Sequence, residues 1–121
     1  MKNVTLRNTL TFDAHTIVTF LECQEDFDTL VMLASRGDRR AIGAIAAALG
    51  GELFKVARKA LKGCEDEADD VIQDFLLSLV EERWPFNREQ GGGQAWMFGI
   101  VRMIARNRRR ESRRFSGLDE D

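Results

Sequence analysis

Residues 67–79, EADDVIQDFLLSL, constrain the fold of this chain more than any other stretch. At about 100° per residue, Ala68, Val71, Ile72, Phe75, Leu76 and Leu79 fall on one side of a helix. Asp66, Asp70, Gln73 and Leu77 lie diametrically opposite, at i, i+4, i+7 and i+11. The stretch therefore specifies a helix with one face for a core and a second face of mixed character. Four acids, Glu65, Asp66, Glu67 and Asp70, crowd its start, where they suit the positive end of the helix dipole, and the pattern predicts a helix over 65–82. The second face has two readings. It is a solvated surface with a stray leucine, or it is a docking surface in which carboxylates meet a basic partner, Gln73 gives a directional hydrogen bond and Leu77 is an apolar anchor.

The surrounding sequence supplies the partners such a helix needs. Residues 28–36 read as a short helix ending at Gly37, and Asp38 is a fitting N-cap for a second helix over 39–61. The first half of that helix holds Gly43, Gly50 and Gly51, which predict either close packing against neighbours or a kink near 50–51. Its second half, ELFKVARKALK, is amphipathic. Pro85 and three consecutive glycines make 84–93 a mobile loop, and a fourth helix runs over 94–114. The expected fold is an all-α, compact bundle of about four helices (28–36, 39–61, 65–82, 94–114). One Pro, no Tyr and an abundance of Ala, Leu, Arg and Glu agree with it. Residues 1–26 fit a Thr-rich hairpin or, as the favoured reading, a helix over 14–23 capped by Asp13. They form an N-terminal extension to a domain over 27–115, and 116–121 are a polar tail. At 121 residues the chain has room for one real core.

The fourth helix carries the second informative pattern. Trp96, Met97, Ile100, Val101, Met103 and Ile104 make a wide apolar face. Arg102, Arg106, Arg109 and Arg113 line the opposite side. Residues 102–114 hold seven Arg and one Glu, a net +6 in a chain whose total is −2, so the other 108 residues carry −8. Stacked like charges repel along a helix, and that repulsion is relieved when a polyanion neutralises the stripe. Arginines also suit a helix C-terminus, so a solvated basic end is the alternative. Gly99 extends the stripe, and Phe98 beside it is placed to stack on an unpaired base.

Other classes of function find little support. No apolar run approaches the ~18 residues of a membrane span and no secretory signal opens the chain, which predicts a cytoplasmic protein without a membrane partner. Cys23 and Cys64 belong to no CxxC or Cys/His cluster, so no metal site is expected. His15 has no evident acid, base or metal partner. The chain is expected to be no enzyme and to need no cofactor.

Read in order, three blocks resemble region 2 of the sigma-70 family, in its compact extracytoplasmic-function (ECF) branch. GDRRAIGAIAAALGGELFKVAR (37–58) is similar to the family's Gly-Asp-x-x-Ala-Phe pattern, with Ile42 for the Phe. EADDVIQDFLLSL (67–79) resembles its Ala-Glu-Asp-Val-Val-Gln-Glu-x-Phe segment. PFNREQGGGQAWMFGIVRMIARNRRRESRR (85–114) resembles its aromatic loop, its Trp-Leu-x-x-Ile-Ala-x-Asn helix and its closing arginine run. The resemblance implies that the third helix docks on the clamp helices of the largest subunit of core RNA polymerase. Asp70 and Gln73 are then contacts, with Asp66, Asp69, Asp74 and Leu77 beside them.

It further implies that the loop from Phe86 to Gln94 captures a base flipped from the non-template strand of the promoter −10 element, and that the last helix holds DNA at the upstream edge of the melted region. Candidate DNA contacts are Phe86, Asn87, Arg88, Gln94, Trp96, Phe98, Arg102, Met103, Arg106, Asn107, Arg109, Arg110 and Arg113. Met103 stands where the family has an Asn and Asn107 where it has an Asp, while Ala46 and Leu49 replace its tyrosines. Seven residues follow Arg114, so the resemblance implies that the −35-reading region 4 is absent. A separate region 4-like protein, or an anti-sigma factor, is an expected partner. The rival reading is a decoy that occupies polymerase, or a captor of anti-sigma factors, without initiating transcription.

Overall fold

A computed structural model describes residues 24–115, and these form four α-helices with no strand among them: α1 Gln24–Ser35, α2 Arg39–Ala60, α3 Ala68–Val80 and α4 Gly93–Phe115. The expected all-α bundle is what folds. The two readings of the N-terminal segment and the 116–121 tail lie outside the described residues.

Local chemistry sets the helix ends. The sequence places the start of α1 at 28, yet it begins at Gln24, so Phe27 is buried inside the helix rather than ahead of it. At its other end the Gly37 amide donates to Ala34 O (3.0 Å) and the Asp38 amide to Leu33 O (3.0 Å), with Gly37 at φ +85°. This is a paired C-terminal cap that needs a left-handed residue, and glycine takes that conformation without strain. Asp38 caps α2 as expected, accepting from the amides of Arg40 (3.0 Å) and Ala41 (3.1 Å). The predicted 65–82 helix is divided: a 3-10 turn, Glu65–Glu67, leads into α3. The C-terminus of α3 repeats the paired cap, with Glu82 in the left-handed position at φ 53°.

The helices meet around one core, and α2 packs against all three others. Phe27, Leu30, Val31 and Ala34 of α1 and Ile42, Ile45, Leu49 and Leu53 of α2 belong to one buried cluster. Val71, Phe75 and Leu79 of α3 and Met97, Ile100, Val101 and Ala105 of α4 complete the cluster. Each large apolar side chain so buried contributes roughly 1.5–3 kcal/mol relative to exposure.

The glycines correct two expectations. Helix α2 runs unbroken through Gly43, Gly50 and Gly51, and a Cβ at any of them would meet nothing within 4 Å among the described residues. They sit on an outward side of the helix, so neither close packing nor a kink follows from them. Gly93, expected in a mobile loop, is instead buried as the first residue of α4. A Cβ there would lie 2.6 Å from Val31 Cγ2, and its amide donates to Asp28 Oδ1 at 2.9 Å. The carboxylate of α1 thus satisfies one of the unpaired amides at the start of α4.

Candidate functional site

The acidic face begins with the burial pattern of α3. Ala68, Val71, Phe75 and Leu79 are sealed into the core, with Ile72 and Leu76 packed at its edge. This leaves Asp66, Asp69, Asp70, Gln73, Asp74 and Leu77 exposed. Leu77 is 55% exposed, in contrast to the other leucines of α3. In the turn before α3, hydrogen bonds with the backbone at Glu65 and Gly63 hold the Glu65 carboxyl below its ordinary pKa.

One residue of this face's surroundings was not anticipated. Arg108 of α4 reaches Glu67 Oε1 at 3.2 Å, Asp74 Oδ2 at 3.5 Å and Asp70 Oδ2 at 4.0 Å. It follows Ile104 by four residues and Val101 by seven, which puts it on the core side of α4 rather than in the outward stripe. That register was readable in the sequence but hidden among its arginine neighbours.

On the other side of α4, Arg106, Arg109, Arg110 and Arg113 line a groove of about 760 Å³ together with Lys59 and Ala60 from the end of α2 and Lys62 from the turn after it. Arg109 Nε donates to Lys62 O at 3.0 Å and ties the two walls together. The lysines were not candidates, because only tertiary packing brings 59–62 beside 106–113. Arg102 is exposed one turn earlier and does not line this groove.

Met103 and Asn107 take a different position. Met103, expected on the apolar face, is 37% exposed. It lies about 120° around the helix from the buried row centred on Met97 and Ile104, too far to join the core. With Asn107 it lines a second groove, about 470 Å³, shared with Asp74, Leu77 and Trp84. The indole Nε1 of Trp84 is buried with no acceptor among the described residues. These two α4 residues therefore neighbour the acidic face of α3; Arg106, Arg109 and Arg113 point away from it, while Arg110 sits between the two grooves and donates to Asn107 Oδ1 at 3.4 Å.

The loop before α4 is held rather than loose. Phe86 is 7% exposed, its ring centroid 5.2 Å from that of Trp96, whose Nε1 donates to Pro85 O at 3.0 Å. Asn87 Oδ1 accepts the Glu89 amide at 2.9 Å, and Arg88 donates to Thr29 Oγ1 at 3.2 Å. Gln94 is exposed and Phe98 half-buried against the core. Near the basic groove, burial and then the Glu67 charge push the Cys64 thiol up, so it stays protonated at neutral pH. No cluster of His, Cys, Asp and Glu fit to hold a metal occurs among the described residues, and no described helix is long and apolar enough to cross a membrane.

An acid-and-amide face on one helix and a cationic groove on the next give the module two separate surfaces of opposite charge. The family model for sigma-70 region 2 matches residues 45–115, more than half of the chain, and the chain belongs to that family. Region 2 is a transcription-factor domain, not an enzyme family; in sigma-70 factors it binds RNA polymerase and takes part in recognising the promoter −10 element. No curated protein and no solved structure matches the chain.

Proposed function

We propose that the chain is an ECF-type sigma region 2 module, spanning 27–115, that works in the cytoplasm by docking α3 on the clamp helices of the largest polymerase subunit while α4 and its preceding loop engage the −10 element. The observation that carries this is the exposure of Asp69, Asp70, Gln73, Asp74 and Leu77 on one side of α3, with Asp66 in the turn just before it and an apolar anchor among the carboxylates. Such a face suits a partner that is basic and has an apolar socket. The DNA contacts in this reading are Arg102, Arg106, Arg109, Arg110 and Arg113 for phosphates. Gln94 and Phe98, with Asn87 and Arg88 of the loop, lie toward the unpaired strand. Phe86 and Trp96 support that loop from beneath, since Phe86 is buried against Trp96.

A region 2 module contacts only part of a promoter. Upstream contacts from a separate region 4-like protein, or restraint by an anti-sigma factor, belong to the same reading. In vitro transcription by core polymerase, with the chain alone and with neighbouring-gene products added, tests it. Initiation at a defined −10 element in at least one combination is expected; no promoter-specific transcript in any of them counts against it.

One observation favours the decoy reading, in which polymerase is occupied without base capture. Met103 and Asn107 border the groove that holds Leu77 and Asp74 rather than the basic one, and a thioether cannot replace an amide in reading a base. A decoy binds core polymerase as tightly on any −10 sequence as on none and lowers transcription by the other sigma factors.

A further inference from the structure

We infer that the groove between the end of α2 and the second half of α4 is a binding site for the sugar-phosphate backbone of double-stranded DNA, with Lys59 and Lys62 as phosphate ligands beside Arg106, Arg109, Arg110 and Arg113. The inference rests on the region 2 reading for the presence of DNA, but the groove itself is argued from its own composition.

Of the seven described residues that line it, six are cations and the seventh is Ala60, with no carboxylate among them. Helix dipoles account for part of this, since Lys59 lies in the last turn of α2 and Arg113 in the last turn of α4. They do not account for Lys62, which lies beyond the helix, or for the cations of two elements facing one another across a gap. Like charges so placed repel, and a polyanion between them removes the penalty. The bond from Arg109 Nε to Lys62 O fixes the spacing of the walls before any ligand arrives. It engages Nε and leaves the terminal guanidinium nitrogens as donors of the kind that suits phosphate oxygens.

The lining also says which form of nucleic acid fits. Single strands are held on aromatic platforms, and bases are read by amides and bidentate groups at their edges. Among the described residues the groove has no aromatic and no amide side chain. Its chemistry is charge alone, which suits the regular phosphate ladder of a duplex. From Arg106 to Arg113 the helix advances about 10 Å, comparable to the rise of about three nucleotides on one strand.

The test is fluorescence anisotropy of a labelled random-sequence duplex with the full chain, titrated across salt concentrations. Lys59 and Lys62 are both exposed, so the K59A/K62A variant is expected to keep its helical circular dichroism. Its affinity should fall about tenfold at low salt, and the slope of log K against log salt should flatten by about 1.8, or ~0.9 for each phosphate that is no longer neutralised. K59R/K62R should retain the wild-type slope, which separates charge from any packing change. Unchanged affinity and slope in K59A/K62A would overturn the inference, as would tighter wild-type binding to polyglutamate than to the duplex, which would assign the groove to an acidic protein. Recovery of the largest polymerase subunit should be the same for K59A/K62A and wild type. Polymerase binding reads out α3 and duplex binding reads out the groove, so the two claims fail separately.

Discussion

The guanidinium of Arg108 lies 3.5 Å from the carboxylate of Asp74, so the helix that carries the arginine stripe also holds the acidic face of its neighbour. Arg108 adds Glu67 at 3.2 Å and Asp70 at 4.0 Å to the same cluster. The groups are partly exposed, which limits the energy: removing the pairs in Arg108→Ala should lower stability by about 1 kcal/mol at low salt. Arg108→Glu should lower it further by setting like charges against one another. Thermal melts at low and at molar salt check this, because screening should shrink both differences. A loss independent of salt would assign the role of Arg108 to the packing of its aliphatic stem instead.

Gly93 and Val31 make the tightest approach among the described glycines, and Gly93→Ala must move one of them. The expected loss is about 1–3 kcal/mol, the usual result of overpacking a filled site. The Gly93→Ala, Val31→Ala double variant should be more stable than the sum of the single effects allows, as the second change opens room for the first. Urea denaturation of the four proteins measures the coupling, and strict additivity would mean that the crowding is relieved elsewhere.

The glycines of α2 should behave in the opposite way. Among the described residues nothing lies within 4 Å of a Cβ at Gly43, Gly50 or Gly51, so alanine at each should raise stability by about 0.5–1 kcal/mol through helix propensity alone. Melting temperatures of the single variants and of the triple variant check this. A drop would show that another part of the protein needs that surface free of side chains.

Leu77 and Phe75 separate function from folding on the same helix. Phe75 is fully buried, and Phe75→Ala should cost about 3–5 kcal/mol. Leu77→Ala should change stability by less than about 0.5 kcal/mol. If α3 docks on polymerase as proposed, it should still lower affinity for the largest polymerase subunit about tenfold or more, as loss of a central apolar anchor does. Calorimetry and titration of the same samples give both numbers. Full binding by Leu77→Ala would move the docking surface off this face.

Much of this architecture was legible in the sequence because amphipathic periodicity is strong where one helix face is buried. The core residues of α3 and the Asp38 cap follow from spacing and side-chain chemistry alone. Arg108 was hidden because a run of arginines masks which member points inward. Lys59 and Lys62 needed the tertiary packing that sets the end of α2 beside 106–113. Gly93 gave no sequence signal of its own: a glycine required for close approach reads the same as one that loosens a loop. Phe86 was expected as a DNA contact and is found buried against Trp96, since an aromatic after a proline suits either position.

The most direct test of the central claim is recovery of the largest RNA polymerase subunit by the wild-type chain and by the Asp70→Ala, Gln73→Ala double variant. Both residues are exposed, so the variant should fold normally and its circular dichroism should match wild type. The account predicts at least a tenfold fall in recovery for the double variant. Equal recovery by the two proteins would contradict it.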